Sequence, residues 1–165
     1  MLSQTQELAV DVHQISHQLH PSKLEHLGLV KTVRSHCQEI TRETKVAVGF
    51  SDENVPQLLS LETALSLYRI VQEALRNVIK HSGSKTAQVE LSGGSGEVRL
   101  VVSDSGKGFD ADATRGSAGL GLVSMRERVR FAGGEFSIGP CPSGGTRVEV
   151  RIPLKTDGPR EVAPS

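Results

Sequence analysis

Apolar residues recur along this chain in two rhythms. Leu8, Val12, Ile15 and Leu19 are spaced four, three and four apart, a single helical stripe that Pro21 ends. Such a stripe needs a partner helix. Its closeness to Met1 favours the last part of a longer helical hairpin over packing within one domain. A second helical stretch is predicted from about Leu27 to Glu43, with Leu29, Val30, Val33 and Ile40 as its apolar positions. KVAVGF, Lys45 to Phe50, alternates as a short strand, and Ser51 to Gln57 reads as a loop. A long helix is predicted from about Leu58 to His81, with Leu65, Tyr68, Val71, Leu75 and Val78 as its core face. TAQVEL and EVRLVVSD alternate as two strands, joined by a turn at Gly93 to Gly96. Leu120 to Ala132 reads as a helix closed by Gly133 and Gly134. EFSIG and TRVEVRIPL are the last strands, linked by PCPSGG. The polar tail from Lys155 to Ser165 is expected to be disordered. This order predicts an α+β fold, a two-layer sandwich whose mixed sheet is covered by helices on one face.

Composition narrows the function. The chain has 165 residues, the size of one ordinary domain. Lys plus Arg equals Asp plus Glu at 19 each, so bulk charge gives no support for polyanion binding. Trp is absent and aromatics are few, which argues against base-stacking platforms for nucleic acid. No apolar run is long enough for a membrane span, and MLSQTQELAV does not read as a signal peptide. Cys37 and Cys141 have no metal-ligand spacing; a reduced cytosolic compartment is the simple reading, and a disulfide stays open.

One stretch carries candidate chemistry. VVSDSGKGFDADATRGSAGLGLVSMRERV runs from an apolar strand into a carboxylate, then glycines, then a helix. It contains no P-loop string. Gly106 and Gly108 supply only G-x-G, and the third position of a dinucleotide fingerprint holds Ala111 with no helix opening there. A calcium loop starting at Asp104 would need Glu at its twelfth position, which is Arg115. What remains is Asp104 fixed at a strand end, able to accept a hydrogen bond from an exocyclic amine. Gly106 and Gly108 allow close backbone approach to a flat base. Gly116, Gly119 and Gly121 lead into a helix whose free N–H groups suit phosphates. Asp110 to Ala118 between them is small and polar, as a lid would be. Taken alone, a D-x-G-x-G turn is simply a loop.

The long helix supplies a partner. Glu73 and Asn77 are four apart, and Ile70 and Lys80 extend the same side. An Asn oxygen can ligate Mg²⁺, Lys80 or His81 can meet phosphate charge, and Glu73 can act as a general base. On an isolated helix the same residues would more often be a solvated polar face.

E-x-x-x-N, D-x-G-x-G, G-x-G before a helix and GGT before the last strand occur here in order. Together they resemble the ATP-binding domain of the GHKL superfamily, which includes histidine kinases, DNA gyrase and heat-shock chaperone ATPases. SHQLHPSKLEHLGL, LYRIVQEALRNVIKHS, SDSGKGFD, GLGLVSMRERV and SGGTRVEVRIPL resemble most closely the histidine kinases that signal to LuxR-type response regulators. The resemblance spans about Asp11 to Leu154. It implies a Bergerat-type two-layer α/β sandwich, with residues 1–21 as the end of a dimerisation helix and residues 22–154 as the catalytic domain. It also implies ATP and Mg²⁺ as cofactors. Asp104 then matches the adenine-binding aspartate, with Gly106 and Gly108 as the floor under the base. Asn77 matches the Mg²⁺ ligand and Glu73 the base, with Lys80 and His81 near the phosphates. Gly119, Leu120, Gly121 and Leu122 match the phosphate turn, and Thr146 the polar residue beside the aspartate. Ser105 departs from the Asp or Asn that relatives often carry.

A phosphoacceptor histidine is usually followed by Asp or Glu in such kinases. His13 and His17 precede Gln, His20 Pro, His26 Leu, His36 Cys and His81 Ser, so none fits. DVHQISHQLHP instead resembles the join after the acceptor, which is expected upstream of Met1 along with any sensor region. The expected partners are the dimerisation domain that carries the acceptor and a LuxR-type response regulator, in a cytoplasmic setting. The alternatives are a GHKL serine kinase of the anti-sigma-factor kind and a non-catalytic nucleotide-binding module. The LHP stretch and the N-terminal stripe weigh against the first, and the intact Glu73, Asn77 and Asp104 set against the second.

Overall fold

The structure, a computed structural model, describes residues 22–108 and 119–155. The predicted first helix, the lid and the tail beyond Lys155 lie outside the described residues. Helix α1 runs Ser22–Glu43, earlier than the expected start at Leu27, because two helical stretches meet at Gly28. Gly28 takes φ 78, a conformation that glycine adopts without steric cost. Its carbonyl accepts the Thr32 hydroxyl at 2.7 Å. Strand β1 is Ala47–Glu53. The expected loop therefore begins later, since Ser51 to Glu53 pair with Glu90 to Ser92 of the neighbouring strand.

Helix α2 spans Leu61–Asn77 and starts three residues after the predicted Leu58. Ser60 decides the start: its hydroxyl accepts the Thr63 N–H at 3.1 Å, a side-chain N-cap. A π-helical turn, Val78–Ser82, follows, and Gly83 ends it at φ 68. Strands β2, Thr86–Gly94, and β3, Glu97–Asp104, leave only Ser95 and Gly96 between them. Both have positive φ, the conformation that suits a two-residue hairpin. Helix α3, Leu120–Phe131, and strands β4, Glu135–Pro140, and β5, Thr146–Pro153, complete the fold as predicted.

The sheet order is β1-β2-β3-β5-β4, with β1 and β2 parallel and the other pairs antiparallel. Strand alternation sends Ala87, Val89 and Leu91, then Val98, Leu100 and Val102, then Val148, Val150 and Ile152 inward. The helices pack on that face with Leu67, Ile70, Val71, Ala74, Leu75, Met125 and Val129. The fold is the expected α+β two-layer arrangement. The core face of α2 is rotated from the prediction: Ala64, Leu67 and Ile70 are buried, while Leu65 and Tyr68 are half-buried at its margin. Tyr68 meets His36 of α1 edge to face, ring centroids 5.8 Å apart.

The other face of the sheet carries an ion-pair network. Glu149 accepts from Arg99 at 2.8 Å and from Arg151 at 2.9 Å, with Arg147 at 3.3 Å. The Arg99 hydrogen bond above all, then those of Arg151 and Arg147, hold its carboxyl down to about 2. Among the described residues no helix is long and apolar enough to cross a membrane.

Candidate nucleotide site

Glu73 and Asn77 lie on the last turns of α2, both half-buried. Ile70 does not join them: it is fully buried in the core, so the predicted polar stripe begins one turn later. Lys80 and His81 lie on the π-helical turn and are exposed. Sequence periodicity did not reveal this turn, because it breaks the 3.6-residue repeat.

Asp104 ends β3 and is 8% exposed, one of few polar residues buried among the described residues. Its Oδ1 accepts the Gly106 N–H at 2.8 Å, which folds the loop back over the strand end. Ser82 joins this loop to the helix. Its carbonyl accepts the Lys107 N–H at 3.0 Å, and its hydroxyl donates to the Val78 carbonyl at 2.7 Å. Gly106 packs directly on the Ser82 carbonyl, so any β-carbon there would overlap it. The two predicted halves of the site are thus tied together through Ser82, a residue that sequence reasoning did not single out. Its one signal was its place at the end of the helical motif.

Gly108, at φ 87, runs beside Gly145, and Gly145 packs on the backbone of Asp104. Gly145 was visible only as part of the GGT string. Thr146 opens β5 next to the Ser103–Arg147 pair, which brings it level with Asp104 across the strands. Gly119 stands at the N-cap of α3 with no side-chain cap. Gly121 packs against the Glu73 carboxylate, so the helix start faces the α2 polar face. Leu122 packs on the core margin, whereas Leu120 is 89% exposed. Arg76 lies 3.7 Å from Glu73, a half-exposed pair of small energetic weight. Cys37 and Cys141 are both free.

The family model "Histidine kinase-, DNA gyrase B-, and HSP90-like ATPase" matches residues 62–156, from α2 past the end of β5. The chain belongs to this ATPase family. Within the family it is similar to the sensor histidine kinase MctS of Rhizobium johnstonii, 33% identical over 90% of this chain and 32% of that protein. It is also similar to the sensor histidine kinase YhcY of Bacillus subtilis, 34% identical over 92% of this chain and 38% of that protein. The chain therefore spans about a third of the length of the curated relatives it matches. The histidine kinase domain of the blue-light activated kinase of Erythrobacter litoralis EL346 superposes with TM-score 0.60 at 25% identity, over 76% of this chain and 61% of that one. The ATP-binding domain of PrrB from Mycobacterium tuberculosis shares the fold at TM-score 0.62 and 21% identity, over 77% of this chain and 94% of that one.

Proposed function

We propose that this chain is the ATP-binding catalytic part of a two-component sensor histidine kinase, with residues 22–154 as the catalytic domain and residues 1–21 as the end of a dimerisation helix. It holds Mg-ATP and donates the γ-phosphoryl group to a histidine on the dimerisation domain, for relay to a response regulator of LuxR type. The single observation that carries the reading is the Ser82–Lys107 hydrogen bond, which holds the Asp104 loop against the end of the Glu73–Asn77 helix. The sensor histidine kinase names of its relatives support the same reading.

Each residue has a role in this scheme. Asp104 accepts the adenine amine, and Gly106 and Gly108 let the base lie close to the backbone. Lys80, His81 and the backbone of Gly119, Leu120, Gly121 and Leu122 meet the phosphates, with Thr146 beside the aspartate. Glu73 takes the proton of the attacking imidazole as its nitrogen bonds the γ-phosphorus and the bond to ADP breaks. The donor set suits Mg²⁺ that arrives with nucleotide. No group of three His, Cys, Asp or Glu among the described residues could hold a metal, and the Asn77 side chain makes no cap bond. Among the described residues Asn77 would be its protein ligand, with phosphate and water oxygens as the rest, and the bound Mg²⁺ would neutralise phosphate charge. Such ATP chemistry belongs in the cytoplasm.

The test supplies the acceptor in trans. The chain is mixed with radiolabelled Mg-ATP and a dimeric protein that carries the acceptor helices of a relative. Acid-labile label on the acceptor histidine is the expected result. Nucleotide binding with label only on a serine of an added anti-anti-sigma protein, or with no transfer to any acceptor, overturns the kinase assignment.

A further inference from the structure

Three hydroxyl groups next to Asp104 in sequence or across the strands form a hydrogen-bonded ring that closes through the Thr86 backbone. Ser105 Oγ lies 3.1 Å from Ser84 Oγ and 3.0 Å from Thr86 Oγ1, and Ser84 Oγ donates to the Thr86 carbonyl at 2.7 Å. Each hydroxyl has one proton to give. The Ser84 proton is committed to the Thr86 carbonyl, so Ser105 must donate to Ser84. The Ser105 proton is then spent, so Thr86 must donate to Ser105. The direction of every bond follows: Thr86 hydroxyl to Ser105, Ser105 to Ser84, Ser84 back to the Thr86 carbonyl. Bonds that run one way along such a chain of hydroxyls polarise one another in the same sense.

The ring stands where the backbone ladder stops. Ala87 and Asp104 are the last pair of β2 and β3 at this end. Thr86 and Ser105 are the next residues on either side, so side chains continue the pairing for one more step. Ser84 belongs to the chain leaving the π-helical turn, and its N–H donates to Ser82 Oγ at 3.0 Å. The ring therefore links the loop after Asp104 to the same exit segment that receives the Lys107 N–H.

We propose that this hydroxyl ring, with Ser105 at its centre, is a positioning device that fixes the Asp104 carboxylate for the adenine amine and so sets adenine specificity. The inference rests on the nucleotide-site reading above. Ser105 and Thr86 are exposed, so water can replace their lost bonds, and opening the ring should cost little fold stability. The cost should fall on the aim of Asp104 instead.

The experiment measures ADP and GDP affinity by calorimetry, and the thermal midpoint, for the unaltered chain, Ser105→Ala, Ser105→Thr, Thr86→Val and Asp104→Ala. Ser105→Ala and Thr86→Val should each weaken ADP binding by about fivefold, the equivalent of one lost hydrogen bond, and narrow the ADP-to-GDP ratio. Their midpoints should stay within about 2 °C of the parent. Ser105→Thr, which keeps the hydroxyl, should retain affinity and ratio. If Ser105→Ala and Thr86→Val bind ADP as the parent does while Asp104→Ala does not, the ring has no positioning role and the site reading stands. Equal losses for ADP and GDP with a lowered midpoint also overturn it, as a purely structural effect. No ADP binding by the unaltered chain removes both proposals together.

Discussion

Gly145 packs directly on the backbone carbonyl of Asp104. A β-carbon on Gly145 would overlap that carbonyl and come within 2.9 Å of the carboxylate Oδ1. Its φ of 88 is also one that other residues rarely adopt. Backbone cannot move aside as a side-chain tip can. Gly145→Ala should therefore destabilise the fold by about 2 kcal/mol, in the range of strained backbone substitutions. It should also weaken ADP binding by about tenfold or more through displacement of Asp104. Urea unfolding and calorimetry check the two effects; unchanged binding would remove Gly145 from the support of the site.

Gly121 makes the opposite case. A β-carbon there would meet the end of the Glu73 side chain, which can swing away. Gly121→Ala also gains helix propensity in the first turn of α3, up to about 1 kcal/mol. Stability should thus hold or rise while the Glu73 carboxylate is displaced. Phosphoryl transfer to an acceptor supplied in trans should fall about tenfold or more, with ADP affinity nearly kept, as expected when a base is misplaced. Transfer at the parental rate would show that Glu73 is not held in place by this contact.

Asp104 is the sharpest single test of the nucleotide reading. Asp104→Ala removes the acceptor of the Gly106 N–H as well as the proposed adenine contact. Calorimetry should show ADP binding weakened by about tenfold to a hundredfold, the scale of a hydrogen bond to a charged group. Binding within a few-fold of the parent would end the assignment.

Glu149 gives a pH prediction. Its folded-state carboxyl is held at about 2, below the ordinary 4.5, by Arg99 first and by Arg151 and Arg147. A depressed carboxylate stabilises the fold above its unfolded value and loses that contribution as pH falls through the folded one. The difference in urea midpoint between the parent and Glu149→Gln should be full above about pH 5 and shrink steadily toward pH 2. A difference that stays constant over this range would mean that the three arginines do not stabilise the carboxylate.

Much of this protein was legible in its sequence. Period-2 alternation gave β2, β3, β4 and β5, and the glycine pair at 133–134 ended α3, because these signals are local. Glu73, Asn77 and Asp104 stood out because their residue types and spacing resemble motifs of the family to which the chain belongs. Tertiary structure alone decided other features. Ile70 left the polar stripe for the core because the sheet, not the helix, chooses which face of α2 is buried. The π-helical turn at Val78–Ser82 has no periodic signature and is held by Ser82, whose carbonyl partner is remote in sequence. Gly121 against Glu73, Gly145 against Asp104, and the Ser84–Thr86–Ser105 ring all join residues from separate elements. Sequence fixes what each residue can do; only the packing of distant segments decides which of them meet.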